Sequence, residues 1–106
     1  MNLRDFEYVV AVDEHRHFGK AANACNVSQP TLSAQIRKLE EHLGIEIFER
    51  TKRSVRATPA GERIIERAKT LLAAARSIEE LATAMTDPLS GSLRLGTIPT
   101  IAPYLM

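Results

Sequence analysis

Gln29, Thr31 and Ser33 follow Ser28 at close intervals, and together they offer one amide and several hydroxyls. These groups do little acid–base chemistry but hydrogen-bond well to planar edges. A Gln amide pairs with adenine through two bonds, Ser and Thr hydroxyls bond several base edges or phosphates, and carbon from Pro30 or Ala34 can meet a thymine methyl group. Arg37 and Lys38 lie further along and are suited to phosphate. A second cationic group, Arg50, Lys52 and Arg53, continues to Arg56 without an intervening acid. Short basic arms of this kind enter narrow minor grooves, which favours A·T-rich flanks.

Other chemistries lack their parts. Thr31 and Ser33 have no base or oxyanion site arranged around them, so no enzyme is expected. His15 and His17 stand in a polar break without a carboxylate cluster at helical spacing and read as caps or solvated groups, so neither a metal nor a cofactor is expected. Cys25 is the sole cysteine, which excludes an intramolecular disulfide; on an apolar helix face it reads as core. The formal net charge is only +1 over 106 residues, but it is unevenly spread. Residues 1–15 carry Arg4 against Asp5, Glu7, Asp13 and Glu14, whereas residues 16–56 carry eight basic side chains against four acidic ones. The basic block coincides with the hydrogen-bonding residues, which points to a polyanion as partner.

The elements that would position these residues are mainly helical. Leu3, Phe6 and Val10, with Val9 alongside, place an apolar stripe on a first helix over about 2–14. Phe18, Ala21, Ala22 and Cys25 share one side of a short second helix, with Asn26 suited to a left-handed cap and Val27 to an anchor in the turn. Ser28 supplies an N-cap oxygen to a third helix from about 29, in whose first turn Pro30 is tolerated. Leu32, Ile36, Leu39 and Leu43 form its buried face. Pro30, Ala34, Arg37 and Glu41 point outward, with Thr31, Ser33 and Lys38 on the flanks. Glu40, Glu41, Glu46 and Glu49 would be repelled by phosphate and are expected away from it. Gly44 stops the helix, and Ile45, Ile47 and Val55 frame a small hairpin with its turn over 51–54.

Thr58 and Pro59 then resemble an N-cap and first helical residue for a fourth helix running to about Thr86, with Gly61 in its first turn. Ile64, Ala68, Leu71, Ala75, Ile78, Ala82 and Met85 repeat at steps of four and three. That heptad seam predicts pairing with a second copy of the chain, its alanines allowing close approach. Ile65, Leu72 and Leu81 widen the stripe enough to touch the first domain as well. The segment Asp87 to Ser92 has the composition of a hinge, and Leu93 to Ile98 reads as the start of a strand with nothing following to pair with it. The expected fold class is therefore mainly α: a winged helix-turn-helix, a three-helix bundle with a small β-hairpin wing, over 1–58. A linker and dimerisation helix over 59–87 follows, then a hinge and the truncated start of a further domain over 88–106. No stretch suits a membrane span or a secretory signal, which predicts an intracellular protein without a membrane partner.

The run Ala21-Ala22 through Val27-Ser28-Gln29-Pro30-Thr31-Leu32-Ser33, with Gln35-Ile36, Leu39-Glu40, Leu43-Gly44, Phe48-Glu49-Arg50 and Thr58-Pro59-Ala60-Gly61, closely resembles the LysR-type transcriptional regulators. Glu14 to Phe18, Ser28 to Leu32, Gln35 to Glu40 and Gly96 to Thr100 with Pro103-Tyr104-Leu105 resemble the peroxide-responsive, OxyR-like branch of that family. The resemblance implies a cytoplasmic, nucleoid-associated bacterial regulator that binds a palindromic double-stranded DNA operator. It also implies a homodimer through the linker helix, a tetramer in the full-length protein, and a C-terminal effector domain whose redox cysteines would lie beyond this chain. A regulator answering a small-molecule inducer, or a protein-interaction module built on the long helix, is the alternative. One position departs from the pattern: many relatives carry Arg where Ala34 stands, so that base contact is lost, leaving either a methyl contact or a water-filled gap.

Overall fold

The computed structural model describes residues 1–50 and 54–86. It contains four helices, α1 (Leu3–His15), α2 (Phe18–Ala24), α3 (Gln29–Leu43) and α4 (Pro59–Thr86), and two strands, β1 (Phe48–Arg50) and β2 (Val55–Ala57). Packing divides the chain into a compact unit, Met1–Leu72, and a second from Ala73 onward, of which the described part is the C-terminal half of α4. No described helix is long and apolar enough to cross a membrane. The hinge expected over 87–92, the strand after it and the domain start assigned to 88–106 lie outside the described residues, as do Lys52 and Arg53 of the expected wing.

Local chemistry starts and stops each helix of the first unit. Asn2 caps α1: its side chain accepts from the Asp5 amide at 3.0 Å, and the Asp5 carboxylate accepts from the Asn2 amide at 3.1 Å. This reciprocal box satisfies two of the amides that a helix start leaves free and lets Asp5 be buried. Arg16, left-handed at φ 54°, closes the helix. His17 then caps α2, its Nδ1 accepting from the Lys20 amide at 3.0 Å. The turn into α3 uses Asn26 at φ 60° and rests Val27 on the core, as the sequence predicted. Gly44 ends α3 in the left-handed conformation at φ 74°.

The strands pair antiparallel, Phe48 with Ala57 and Arg50 with Val55. A three-residue hairpin has little stability alone; here its first strand is sewn into the bundle. Ile47 and Phe48 are fully buried alongside Val9, Val12, Leu32, Ile36 and Leu39. Each such side chain contributes on the order of 1.5–3 kcal/mol through burial. Ile65 of α4 joins the same core, as its place beside the seam suggested.

The face of α1 keeps the expected Val9 but otherwise departs from expectation. Leu3 is exposed and Val10 half-buried, while Tyr8, Val9, Ala11 and Val12 fill the core. Phe6 only rests against its edge. Tyr8 can be buried because its hydroxyl accepts a hydrogen bond from Arg4 Nε at 3.3 Å, with the guanidinium over its ring.

Candidate nucleic-acid interface

The start of α3 is built to stay open. Ser28 Oγ accepts from the Thr31 amide at 3.2 Å and donates its own proton to Thr31 Oγ1 at 2.8 Å. Ser28 is thereby committed to capping. Thr31, accepting that bond, keeps its hydroxyl proton free to donate outward. Ser28, Gln29, Pro30, Thr31, Ala34, Arg37 and Lys38 are all exposed, and Ser33 is half-buried. Among the described residues, Gln29, Arg37 and Lys38 have no side-chain hydrogen bond or ion pair, so two cations and an amide face solvent uncommitted. Behind them Leu32, Ile36 and Leu39 anchor the helix in the core, which fixes the direction of this outward face.

Arg50 does not belong to the solvent-facing set. Its side chain is only 26% exposed; Nη2 donates to Glu40 Oε1 at 3.2 Å, and the guanidinium lies 5.3 Å over the Phe18 ring. A wing cation expected to meet DNA is instead tied into the protein. The physical reason is Glu40, a carboxylate buried on α3 that draws a cation inward. Arg56, opposite Glu49 on β2, is the exposed cation of the described hairpin. Its place in the acid-free run pointed to it, although it stood outside the expected wing set.

The expected seam on α4 also shifts. Ala68 is 1% exposed and Ile64 packs against the core, so both serve their own unit instead of facing a second copy. Ala75 is half-buried. Leu71, Ile78, Ala82 and Met85 remain exposed, joined by Leu81. Leu71, Ala74, Ile78, Leu81 and Met85 recur at steps of three and four along α4. One face of α4 is inward and another apolar face is open.

Cys25 closes α2, and its carbonyl accepts from Arg4 Nη2 at 2.7 Å. Burial pushes its thiol above the ordinary range, opposed by the nearby positive charge of Arg4 and reinforced by Glu7. A raised thiol pKa means little thiolate at neutral pH, the opposite of a sensing cysteine. Iodoacetamide should therefore alkylate Cys25 more slowly than free cysteine at neutral pH, and speed up on unfolding in urea. Labelling at the free-thiol rate in the folded chain would refute this.

Two short helices joined by a tight turn, the second presenting an open polar face and followed by a two-stranded hairpin, define the chain as a winged helix-turn-helix protein. Residues 3–62 match the model of the bacterial regulatory helix-turn-helix proteins of the lysR family, and the chain belongs to that family. It is 52% identical over all 106 residues to the hydrogen peroxide-inducible genes activator of Pectobacterium carotovorum subsp. carotovorum, of which it covers 35%. Full-length OxyR of Pseudomonas aeruginosa, solved as a point variant, superposes with a TM-score of 0.79 at 48% identity over 82% of this chain and 30% of that one. The BenM DNA-binding domain, solved in complex with benA site 1 DNA, gives 0.78 at 39% identity, covering 83% of this chain and 99% of that one. The chain thus spans about a third of the length of the curated relatives it matches.

Proposed function

We propose that this chain is the DNA-binding portion of a bacterial LysR-type transcription regulator. It reads a palindromic double-stranded operator as a homodimer, in the cytoplasm and on the nucleoid, without catalysing a reaction. The observation that carries this reading is the uncommitted outward face at the start of α3, with Gln29, Thr31, Arg37 and Lys38 exposed on a rigidly anchored helix. The likeness to a domain solved on DNA supports it. In this arrangement Gln29 and Thr31 meet base edges, Arg37 and Lys38 meet phosphate, and Ala34 offers only a methyl group. Lys52 and Arg53 supply the wing contact to the minor groove. The open apolar face of α4 pairs the two copies. Residues 1–58 are then the reading domain, 59–87 the linker helix and 88–106 the start of an effector-binding domain. The whole regulator answers hydrogen peroxide, a reading supported by the peroxide-inducible activators among its relatives.

Fluorescence anisotropy with a palindromic duplex and a scrambled one tests this. Gln29→Ala should cut discrimination between them by about 5- to 150-fold, the equivalent of one bidentate base contact of roughly 1–3 kcal/mol, with the salt dependence unchanged. Arg53→Ala should weaken both duplexes alike and lower the slope of log affinity against log salt by about one. Equal affinity for both duplexes, insensitive to salt, would overturn the proposal.

A further inference from the structure

Glu40 sits on α3 three turns beyond Gln29 and is 8% exposed. A carboxylate so placed must find donors, and it finds all of them on residues 47–50, which lead into and form β1. Oε2 accepts from the amides of Ile47 at 2.8 Å and Phe48 at 3.2 Å, and Oε1 accepts from Arg50 Nη2 at 3.2 Å. One side chain of the DNA-facing helix therefore grips β1 at its start and at its end. Arg50 extends the connection to α2: its guanidinium covers Phe18, whose ring meets Phe48 edge-on at 6.4 Å and 79°. Arg50 also pairs with Val55, the last register pair before the connection to β2.

The arrangement is a poor way to obtain stability. Arg50 Nε is buried without a partner, and a buried ion pair is near break-even against apolar side chains of the same volume. Such a pair is better suited to fixing one geometry than to adding free energy. The hairpin needs that: its strands are three residues long and only half-buried at Val55 and Ala57. Nothing else on the described hairpin specifies its angle to α3 through directed bonds of this number.

We infer that Glu40 and Arg50 are positioning residues for DNA recognition: they touch no nucleic acid and set the angle of the wing against the recognition helix. This rests on the proposed DNA-binding function. Glu40→Gln keeps a carbonyl oxygen for the Ile47 and Phe48 amides but turns an NH2 toward the guanidinium, donor against donor. Arg50→Met removes the cation and keeps most of the stem that covers Phe18.

In the full chain, each single variant is expected to lower affinity for the palindromic duplex about tenfold and flatten the salt slope, at a temperature where circular dichroism shows it fully folded. The double variant should lose no more than the worse single, and Arg50→Lys should recover part of the loss. Amide exchange at Phe48 should quicken in Arg50→Met without DNA. Folded single variants with wild-type affinity and salt slope would overturn the inference, as would losses that follow only the unfolded fraction or simply add in the double variant. Wild-type chain that ignores duplex altogether would instead overturn the proposed function, and the exchange measurement would still judge the grip of Glu40 and Arg50 on the hairpin.

Discussion

Gly61→Ala is expected to destabilise the domain strongly, although helix propensity alone says the reverse. In an exposed helix interior Gly→Ala stabilises by about 1 kcal/mol. At Gly61 the added Cβ would stand 2.0 Å from the Ile47 carbonyl oxygen and 2.7 Å from its carbon, far inside van der Waals contact with backbone that cannot swing away. That carbonyl already accepts from the Thr58 amide at 2.9 Å, and Thr58 Oγ1 accepts from the Gly61 amide at 2.8 Å. The start of α4 is thus bonded through Thr58 to Ile47, and separation would break that bond and lift the buried Ile47 from the core. We expect a loss of about 3–5 kcal/mol, the range in which overpacking and broken buried bonds combine. At roughly 4–8 °C per kcal/mol for a domain of this size, melting should fall by about 12–40 °C. A thermal melt read by circular dichroism decides it. A variant melting at or above the wild type would show that helix propensity governs this position and the close approach does not.

Gly61 also shows what a sequence can and cannot disclose. Its place in a first helical turn was legible, and the strand pressed against it was not, because that contact joins residues fourteen positions apart. Features whose cause is local were legible. The caps at Ser28 and Thr58, the left-handed Asn26 and Gly44, and the Leu32, Ile36 and Leu39 face each follow from a few neighbouring residues. Hence the outward face of α3 could be named from its residues alone. Arg50 could not be sorted from Lys52 and Arg53 in the same way. A cation reads identically whether solvated or held, and its holder, Glu40, reaches it only once the chain has turned back past Gly44. Glu40 itself, expected to lie away from phosphate, is buried against the hairpin. On α1 the i, i+3, i+7 pattern of Leu3, Phe6 and Val10 competed with the neighbouring face of Tyr8, Val9 and Val12. The second won because Arg4 satisfies the Tyr8 hydroxyl, a polar detail that apolar periodicity omits.

The same ambiguity governs α4, where two apolar stripes share nearly one period, and it determines how pairing should be tested. Ala68 lies inside its own unit, so a charge there would report on folding and not on a second copy. Ile78 is 68% exposed and Leu81 61%, so substituting either costs the single chain little. Ile78→Glu should therefore leave the melting of the first unit unchanged and abolish the dimer. A Glu buried in the seam of each copy loses the apolar contact of Ile78 and desolvates a charge, each an expense of a few kcal/mol, which raises the dissociation constant by roughly a thousandfold. Sedimentation should show the monomer mass where the wild type shows twice that. Affinity for a palindromic duplex should fall by about 10²–10⁴, the contribution of joining two half-site contacts, whereas affinity for one half-site should hold. If Ile78→Glu remains dimeric, the open face of α4 is not the seam. If it becomes monomeric yet binds the palindrome as tightly as the wild type, reading the operator does not require two joined copies.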